Sequence, residues 1–428
     1  MENNAERIQK PQLIGDFVAH PAFLHAFQSG VKHQAVFPSC YGHNRPLAAN
    51  PKDAMRSRVS PQDRPLLVMG GRLCAMLAQK FLCLNGEYEV DKRYARRLGT
   101  SILSRRHFFR NSTATCVATL GGHSDIVCSV AFHPTAPLLA TGSFDSTVRL
   151  WLLSCDNSSA TCVATLEGHS RQVTSVAFHP TAPLLASVSE DSTVRLWLLS
   201  CDNSSATCVA TLDGHIDSVL SVAFHPTAPL LATGSHDNTV RLWLLSCDNS
   251  SATCVATLEG HGFYVTSVAF HPTAPLLATA SSDETVMLWL LSSDNSSATC
   301  VATLKGHSST VSSVAFHPTA PLLATGSYDD TVRLWLLSCD NSSATCVATL
   351  EGHSSTVSSV AFHPTAPLLA TGSWDNTVRL WLLSCDNSSA TCVATLDGHG
   401  NWVTSVAFHP TAPLLATGSW DNTAKLWR

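Results

Sequence analysis

A 46-residue repeat, four β-rich runs in every copy and an outer run displaced to the front of the array predict an all-β fold, a seven-bladed β-propeller of four-stranded antiparallel blades. The repeat is marked by Phe-His-Pro-Thr, which occurs seven times at a constant interval, from Phe132-His133-Pro134-Thr135 to Phe408-His409-Pro410-Thr411. One such unit cannot bury a core alone, so near-copies must stack on one another.

The second copy shows how a unit becomes a blade. Gly168-His169 opens it, and Val173 to Phe178 alternates as a strand does. His179-Pro180-Thr181-Ala182-Pro183 breaks that run. Leu184 to Val188 reads as a second strand, and Glu190-Asp191-Ser192 as a tight turn. Thr193 to Leu199 reads as a third, Asp202-Asn203-Ser204-Ser205 as another turn, and Thr207 to Leu212 as a fourth.

The ends of the array predict how the ring closes. The last copy stops at Arg428, after its third strand. The missing run stands instead at Thr115-Cys116-Val117-Ala118-Thr119-Leu120, ahead of the first Gly-His. This amino-terminal strand is expected to complete the last blade and leave no unpaired edge between blades.

Bulk properties narrow the function classes. Of 428 residues, 45% are hydrophobic and 13% charged, enough for a substantial core. No apolar run reaches the length of a membrane span, and the first residues show no secretory pattern, so a cytoplasmic protein with reduced thiols is expected. Most of the 16 cysteines are copies of one hairpin pattern, as in Cys155 and Cys162, and Ser293 replaces the first of the pair in the fourth copy. That replacement argues against a disulfide framework. The Asn157-Ser158-Ser159 triplet and its copies match a glycosylation sequon but read as turn residues. Residues 1–110 hold 17 Lys+Arg against 8 Asp+Glu, a balance of +9, while the remainder carries −14 within a total of −5. Two regions with different partners would produce such a split, as would an acidic repeat surface that keeps the protein soluble.

The Gly-His pairs and terminal tryptophans resemble the WD-repeat β-propeller family over about residues 111–428. The resemblance implies a structural tetrad in each blade: His123, Ser129, Asp145 and Trp151 in the first, His169, Ser175, Asp191 and Trp197 in the second, and His399, Ser405, Asp421 and Trp427 in the last. It further implies a hydrogen-bonded chain through these four side chains. The namesake aspartate after tryptophan is absent; Leu152 and Arg428 stand there.

Seven equivalent Ser/His/Asp sets do not describe a hydrolase, which needs one nucleophile with an oxyanion hole. No phosphate loop, dinucleotide fingerprint, Cys-x-x-Cys or His-Glu-x-x-His is present. No catalytic residue, metal site or cofactor is expected. The second histidine of each copy, from His133 to His409, is expected to bond its own turn before proline; a ring of imidazoles taking up an anion or metal ion is the alternative.

Differences between copies carry the functional signal. Val-Ala-Phe-His-Pro-Thr-Ala-Pro-Leu-Leu-Ala is identical in all seven, whereas variation gathers after Gly-His and around the tetrad aspartate. In the family both loops lie on the top face, where partners commonly bind. Before that aspartate the residues are Phe144, Glu190, His236, Ser282, Tyr328, Trp374 and Trp420. Three after the histidine they are Ile126, Gln172, Ser218, Tyr264, Thr310, Thr356 and Trp402, with Arg171 and Phe263 beside them. Phe144, Tyr328, Trp374, Trp402 and Trp420 fall in adjoining blades once the ring closes, extended by Phe263 and Tyr264, while Arg171, Glu190, Asp217 and His236 form the opposite arc. Aromatic side chains and Arg dominate interface hot spots. The expected partner is therefore a protein or peptide on an apolar and a charged half-face, with the propeller monomeric inside a complex.

Residues 1–110 contain no repeat and are expected to be irregular to about 65, with helices near 72–82 and 89–98. Their basic residues leave nucleic-acid binding as an alternative function, ranked below docking on the acidic repeats. A sensor subunit of a larger signalling assembly is the third reading.

Overall fold

The computed structural model describes residues 114–428, which form 28 strands, numbered in chain order, in seven four-stranded antiparallel sheets. The helices expected near 72–82 and 89–98, and the boundary at 110/111, lie outside the described residues.

In the first blade β2 (Val127–Phe132), β3 (Leu138–Ser143), β4 (Val148–Leu153) and β5 (Ala160–Leu166) pair in sequence order. The β4–β5 hairpin is built by its own polar residues. The Asp156 carboxylate accepts hydrogen bonds from Ser154 Oγ at 2.7 Å, Ser158 N at 3.1 Å and Ser158 Oγ at 2.8 Å, and Asn157 takes the left-handed φ of 55° that asparagine tolerates.

Every residue of β3 is buried, because neighbouring blades cover both of its faces, while β5 at the rim is half-buried or exposed at every residue but Leu166. The core accordingly lies between blades. Leu138, Ala140, Val148 and Leu150 of the first blade pack against Val173, Val176, Leu185 and Trp197 of the second.

The last sheet holds β26 (Val403–Phe408), β27 (Leu415–Ser419) and β28 (Thr423–Trp427), with β1 (Cys116–Gly121) as its outer strand. Ala118 faces Leu426 and Leu120 faces Ala424, so the closure expected from the ends is the one observed. Thr115 and Arg428 exchange backbone hydrogen bonds of 2.9 and 3.0 Å, and one cluster joins Leu120, Val127 and Val130 to Ala416, Ala424 and Leu426.

A bulge in β2 has a direct packing role. The register against β3 shifts between Val127 and Ser129, leaving Cys128 as the extra residue. At the same position of other blades, Thr174, Thr266, Ser358 and Thr404 donate to the next blade's Val219, Val311, Val403 and Val127 carbonyls at 2.5–2.6 Å. Ser312 does the same to Val357. Cys128 and Leu220 supply no hydroxyl there.

The β3–β4 turns contain a second forced conformation. Ser146, Ser192, Asn238, Glu284, Asp330, Asn376 and Asn422 all sit at φ between 64° and 69°. Asparagine tolerates this region better than glutamate. Glu284→Asn is therefore expected to stabilise the protein by about 0.5–1 kcal/mol, read as a higher urea midpoint. A lower midpoint would show that Glu284 makes a contact worth more than its backbone strain.

Candidate functional site

The variable loops rest on a polar chain inside each blade. In the first, Trp151 Nε1 donates to Thr141 Oγ1 at 2.9 Å, Thr141 Oγ1 meets His123 Nε2 at 2.7 Å, and His123 Nδ1 meets Asp145 Oδ2 at 2.8 Å. An indole N–H only donates and a carboxylate only accepts, which fixes the direction of a neutral chain. The Thr141 hydroxyl donates to Nε2, and Nδ1–H donates to the aspartate.

This geometry corrects the expected tetrad. The hydroxyl belongs to Thr141 in β3, not to Ser129 in β2. It is Ser187 rather than Ser175 in the second blade, and Thr417 rather than Ser405 in the last. Trp151 pairs with Leu139, and Thr141 lies two residues along on the same face, within reach of the indole. Ser129 and Ser405 instead accept the Val176 and Val130 amides of the following blade, each at 3.2 Å. The histidines, aspartates and tryptophans stand where expected, as His169 with Asp191, Trp197 with Ser187, and His399 with Asp421 show.

Asp145 also ties the two loops together. It accepts from the Ser124 amide after the Gly-His pair at 3.1 Å and from Thr147 N and Oγ1 in the β3–β4 turn at 3.0 and 2.7 Å. Burial works against its ionised form, but the hydrogen bonds from Thr147 and His123 outweigh it and hold the carboxyl below its ordinary range. Asp329 is held at about 2 in the same way, against burial, by Thr331 and His307. Burial lowers His123 and His307 despite the facing carboxylates.

On the opposite edge, His133 Nδ1 accepts the amides of Thr135 and Ala136 at 3.1 and 2.9 Å, and its ring meets the edge of Phe178 at 5.0 Å. Each such histidine bonds its own turn, as expected, and burial lowers its pKa, from His133 and His179 through to His363 and His409.

All these folded-state pKa values lie below the unfolded ones. Their contribution is complete above the unfolded values, 6.5 for the imidazoles and 3.8 for the carboxyls, and is lost as pH falls through the folded values. Thermal unfolding from about pH 8 to about pH 4 should give a midpoint that declines below about pH 6.5. A midpoint that rises on acidification would contradict this assignment of the imidazoles.

Above the tetrads, the variable positions join pairwise. The amide of Phe144 donates to the Ile126 carbonyl at 2.9 Å, and the same bond links Glu190 to Gln172, His236 to Ser218, Ser282 to Tyr264, Tyr328 to Thr310, Trp374 to Thr356 and Trp420 to Trp402. The two loops that vary between copies are thus neighbours in every blade. Side chains then meet across blades. Tyr328 packs on Trp374 with centroids at 5.0 Å, and Trp374 stacks on Trp402 at 4.4 Å and 7°. Trp402 meets Trp420 at 4.5 Å, and Trp420 meets Phe144 at 6.5 Å. Tyr264 stacks on His236 at 4.3 Å, joining the aromatic side to a member of the other arc. Burial, and secondarily the nearby Tyr264, raise the Tyr328 phenol. Arg171 and His236 are exposed, Glu190 is half-buried, and Phe263 is 61% exposed with no ring partner among the described residues.

A family model described as WD domain, G-beta repeat matches residues 114–151, 160–197, 206–243, 252–289, 298–335, 344–381 and 390–428. The chain belongs to the WD-repeat family. WD-repeat propellers are generally non-catalytic scaffolds that bind other proteins. In this WD-repeat chain the tetrad is a support: it fixes both variable loops of a blade through one aspartate. The sequence reading missed the β3 hydroxyl, and the usable signal was its spacing, ten residues before the tryptophan whose indole it accepts.

Proposed function

We propose that this WD-repeat propeller is a non-catalytic scaffold that binds a protein or peptide through the face carrying the paired variable loops. The observation that carries the reading is the aromatic run from Tyr328 through Trp374, Trp402 and Trp420 to Phe144, which crosses four adjoining blades. Tyr328 and Trp420 keep 42% and 37% of their surface in solvent, more than a core would leave, and the rings brace one another in fixed orientations. Pre-ordered aromatic area loses little side-chain entropy on binding, which makes it an efficient contact surface. Arg171, Glu190, Asp217 and His236 give the rest of the face its charge and hydrogen-bonding specificity.

The test is affinity capture from native lysate with intact protein and with a Trp374→Ala, Trp402→Ala, Trp420→Ala variant shown to be folded by its circular dichroism. A partner retained by the intact protein and lost from the variant supports the reading. Each tryptophan at the centre of such an interface should contribute about 2 kcal/mol or more. Identical partner lists would remove the aromatic run from the interface.

A further inference from the structure

The rim of the propeller carries a second chemistry. The outer strand of each blade contains Thr-Cys-Val-Ala-Thr-Leu, and its cysteine is exposed. In the first blade Cys162 faces Trp151 across β4 and β5, two residues along from Arg149. The guanidinium Nη1 of Arg149 donates to Cys162 Sγ at 3.8 Å, and the thiol donates to the Ala164 carbonyl at 3.5 Å. The pair recurs as Arg195–Cys208 at 3.6 Å, Arg241–Cys254 at 3.7 Å, Arg333–Cys346 at 3.8 Å and Arg379–Cys392 at 4.0 Å.

These arginines are unusual in having no anionic partner. Among the described residues every ion pair joins a tetrad histidine to its aspartate, and none involves arginine. The Nε atoms of all five are buried without a hydrogen-bond acceptor. Their position depends on the close approach of glycine: a Cβ on Gly168 would lie 2.8 Å from Arg195 Nη1. Each rim site therefore presents a guanidinium with no anionic partner beside an accessible sulfur.

We propose that Cys162, Cys208, Cys254, Cys346 and Cys392 are sites of reversible S-thiolation by small anionic disulfides. A reagent carboxylate engages the outer Nη groups of the guanidinium, which carry no anionic partner, as arginine favours. This docking holds the reagent's sulfur–sulfur bond against the cysteine. Sγ attacks one reagent sulfur, the protein–reagent S–S bond forms and the reagent's own S–S bond breaks. The released half leaves as a thiolate and takes up the proton that the cysteine gives up. The cysteine is oxidised and the released half is reduced, so no further oxidant enters. A free small thiol reverses the exchange.

The chain contains its own controls. In the fourth blade Met287 replaces the arginine, and Cys300 keeps only its bond to the Ala302 carbonyl at 3.6 Å. In the last blade Lys425 bonds Thr119 Oγ1 at 3.1 Å, leaving Cys116 without a guanidinium.

The experiment treats reduced full-length protein with glutathione disulfide and, separately, with the neutral 2-hydroxyethyl disulfide. Alkylated digests then give the rate at each cysteine from fragment spectra. With glutathione disulfide, Cys254 and its four counterparts should react about three- to fivefold faster than Cys300, the scale of an exposed ion pair. Met287→Arg should raise Cys300 to the common rate, and Arg195→Met should lower Cys208 alone. The fourth blade already accommodates methionine at this position, so neither change threatens the fold. With the neutral disulfide the difference should vanish. Equal rates at Cys254 and Cys300 with the anionic reagent, an unmoved Cys300 in Met287→Arg, or undiminished selectivity with the neutral reagent would each overturn the proposal.

Discussion

Deleting residues 112–120 will destabilise the whole ring, not only its last blade. The deletion removes the partner of β28, uncovers Ala424 and Leu426, and takes Leu120 from the cluster that joins the last blade to the first. It also breaks the reciprocal Thr115–Arg428 bonds. Losing one buried leucine and several ladder bonds costs about 5 kcal/mol or more, comparable to the net stability of many domains. Urea unfolding followed by tryptophan fluorescence should show a much lower midpoint, or no cooperative transition. An unchanged midpoint would mean that β1 is an accessory strand and the ring is held shut by β2 and β26 alone.

The second large effect separates the two hydroxyls available to the tetrad. Thr141→Val leaves the buried Trp151 indole N–H and His123 Nε2 without partners, and should cost about 3 kcal/mol. Thr141→Ser keeps the hydroxyl, as Ser187 does in the second blade, and should cost under about 1 kcal/mol. Ser129→Ala removes only the acceptor of the Val176 amide and should cost about 1 kcal/mol. The three urea midpoints give the ranking. Should Ser129→Ala prove more damaging than Thr141→Val, the seam between blades would matter more than the chain within one. Because Asp145 holds both loops of its blade, Thr141→Val should also loosen Phe144 and Ile126, observable as faster amide exchange there.

Much of this was written into the repeat. Val173–Phe178 was read to the residue, and Leu184–Ser189, Val194–Leu199 and Ala206–Leu212 differ from the reading by one residue at an end. Strand alternation and Pro, Asn and Asp punctuation define such runs locally. That the two variable loops share a face was implied by the family resemblance, whereas their direct pairing within each blade was not read from the sequence. The tetrad hydroxyl was not legible from residue type alone. Ser129 and Thr141 both lie on strands next to the histidine loop, and only the diagonal between Leu139 opposite Trp151 and Thr141 decides between them. The bulge at Cys128 was hidden for a related reason: an extra residue does not interrupt the alternation of Val127-Cys128-Ser129-Val130 enough to be seen. Stacking of Trp374 on Trp402 depends on the rotation between adjacent blades, a quantity that no single repeat contains.

The pairing of β1 with β28 also poses a problem of addressing. Cys116-Val117-Ala118-Thr119-Leu120 is the same pentapeptide found in the outer strand of every other blade, so the strand's own sequence does not name its docking edge. Six of those edges are claimed by a strand tethered through a short hairpin, such as the one from Ser154 to Ser159, at an effective concentration no distant segment can match. β28 takes its outer strand from β1 instead. The destination of β1 is therefore set by exclusion from edges already occupied by tethered strands, to which Lys425 of β28 adds its bond to Thr119. Pairing β1 with β28 closes a loop of about three hundred residues, so it is the most non-local step in assembling the ring.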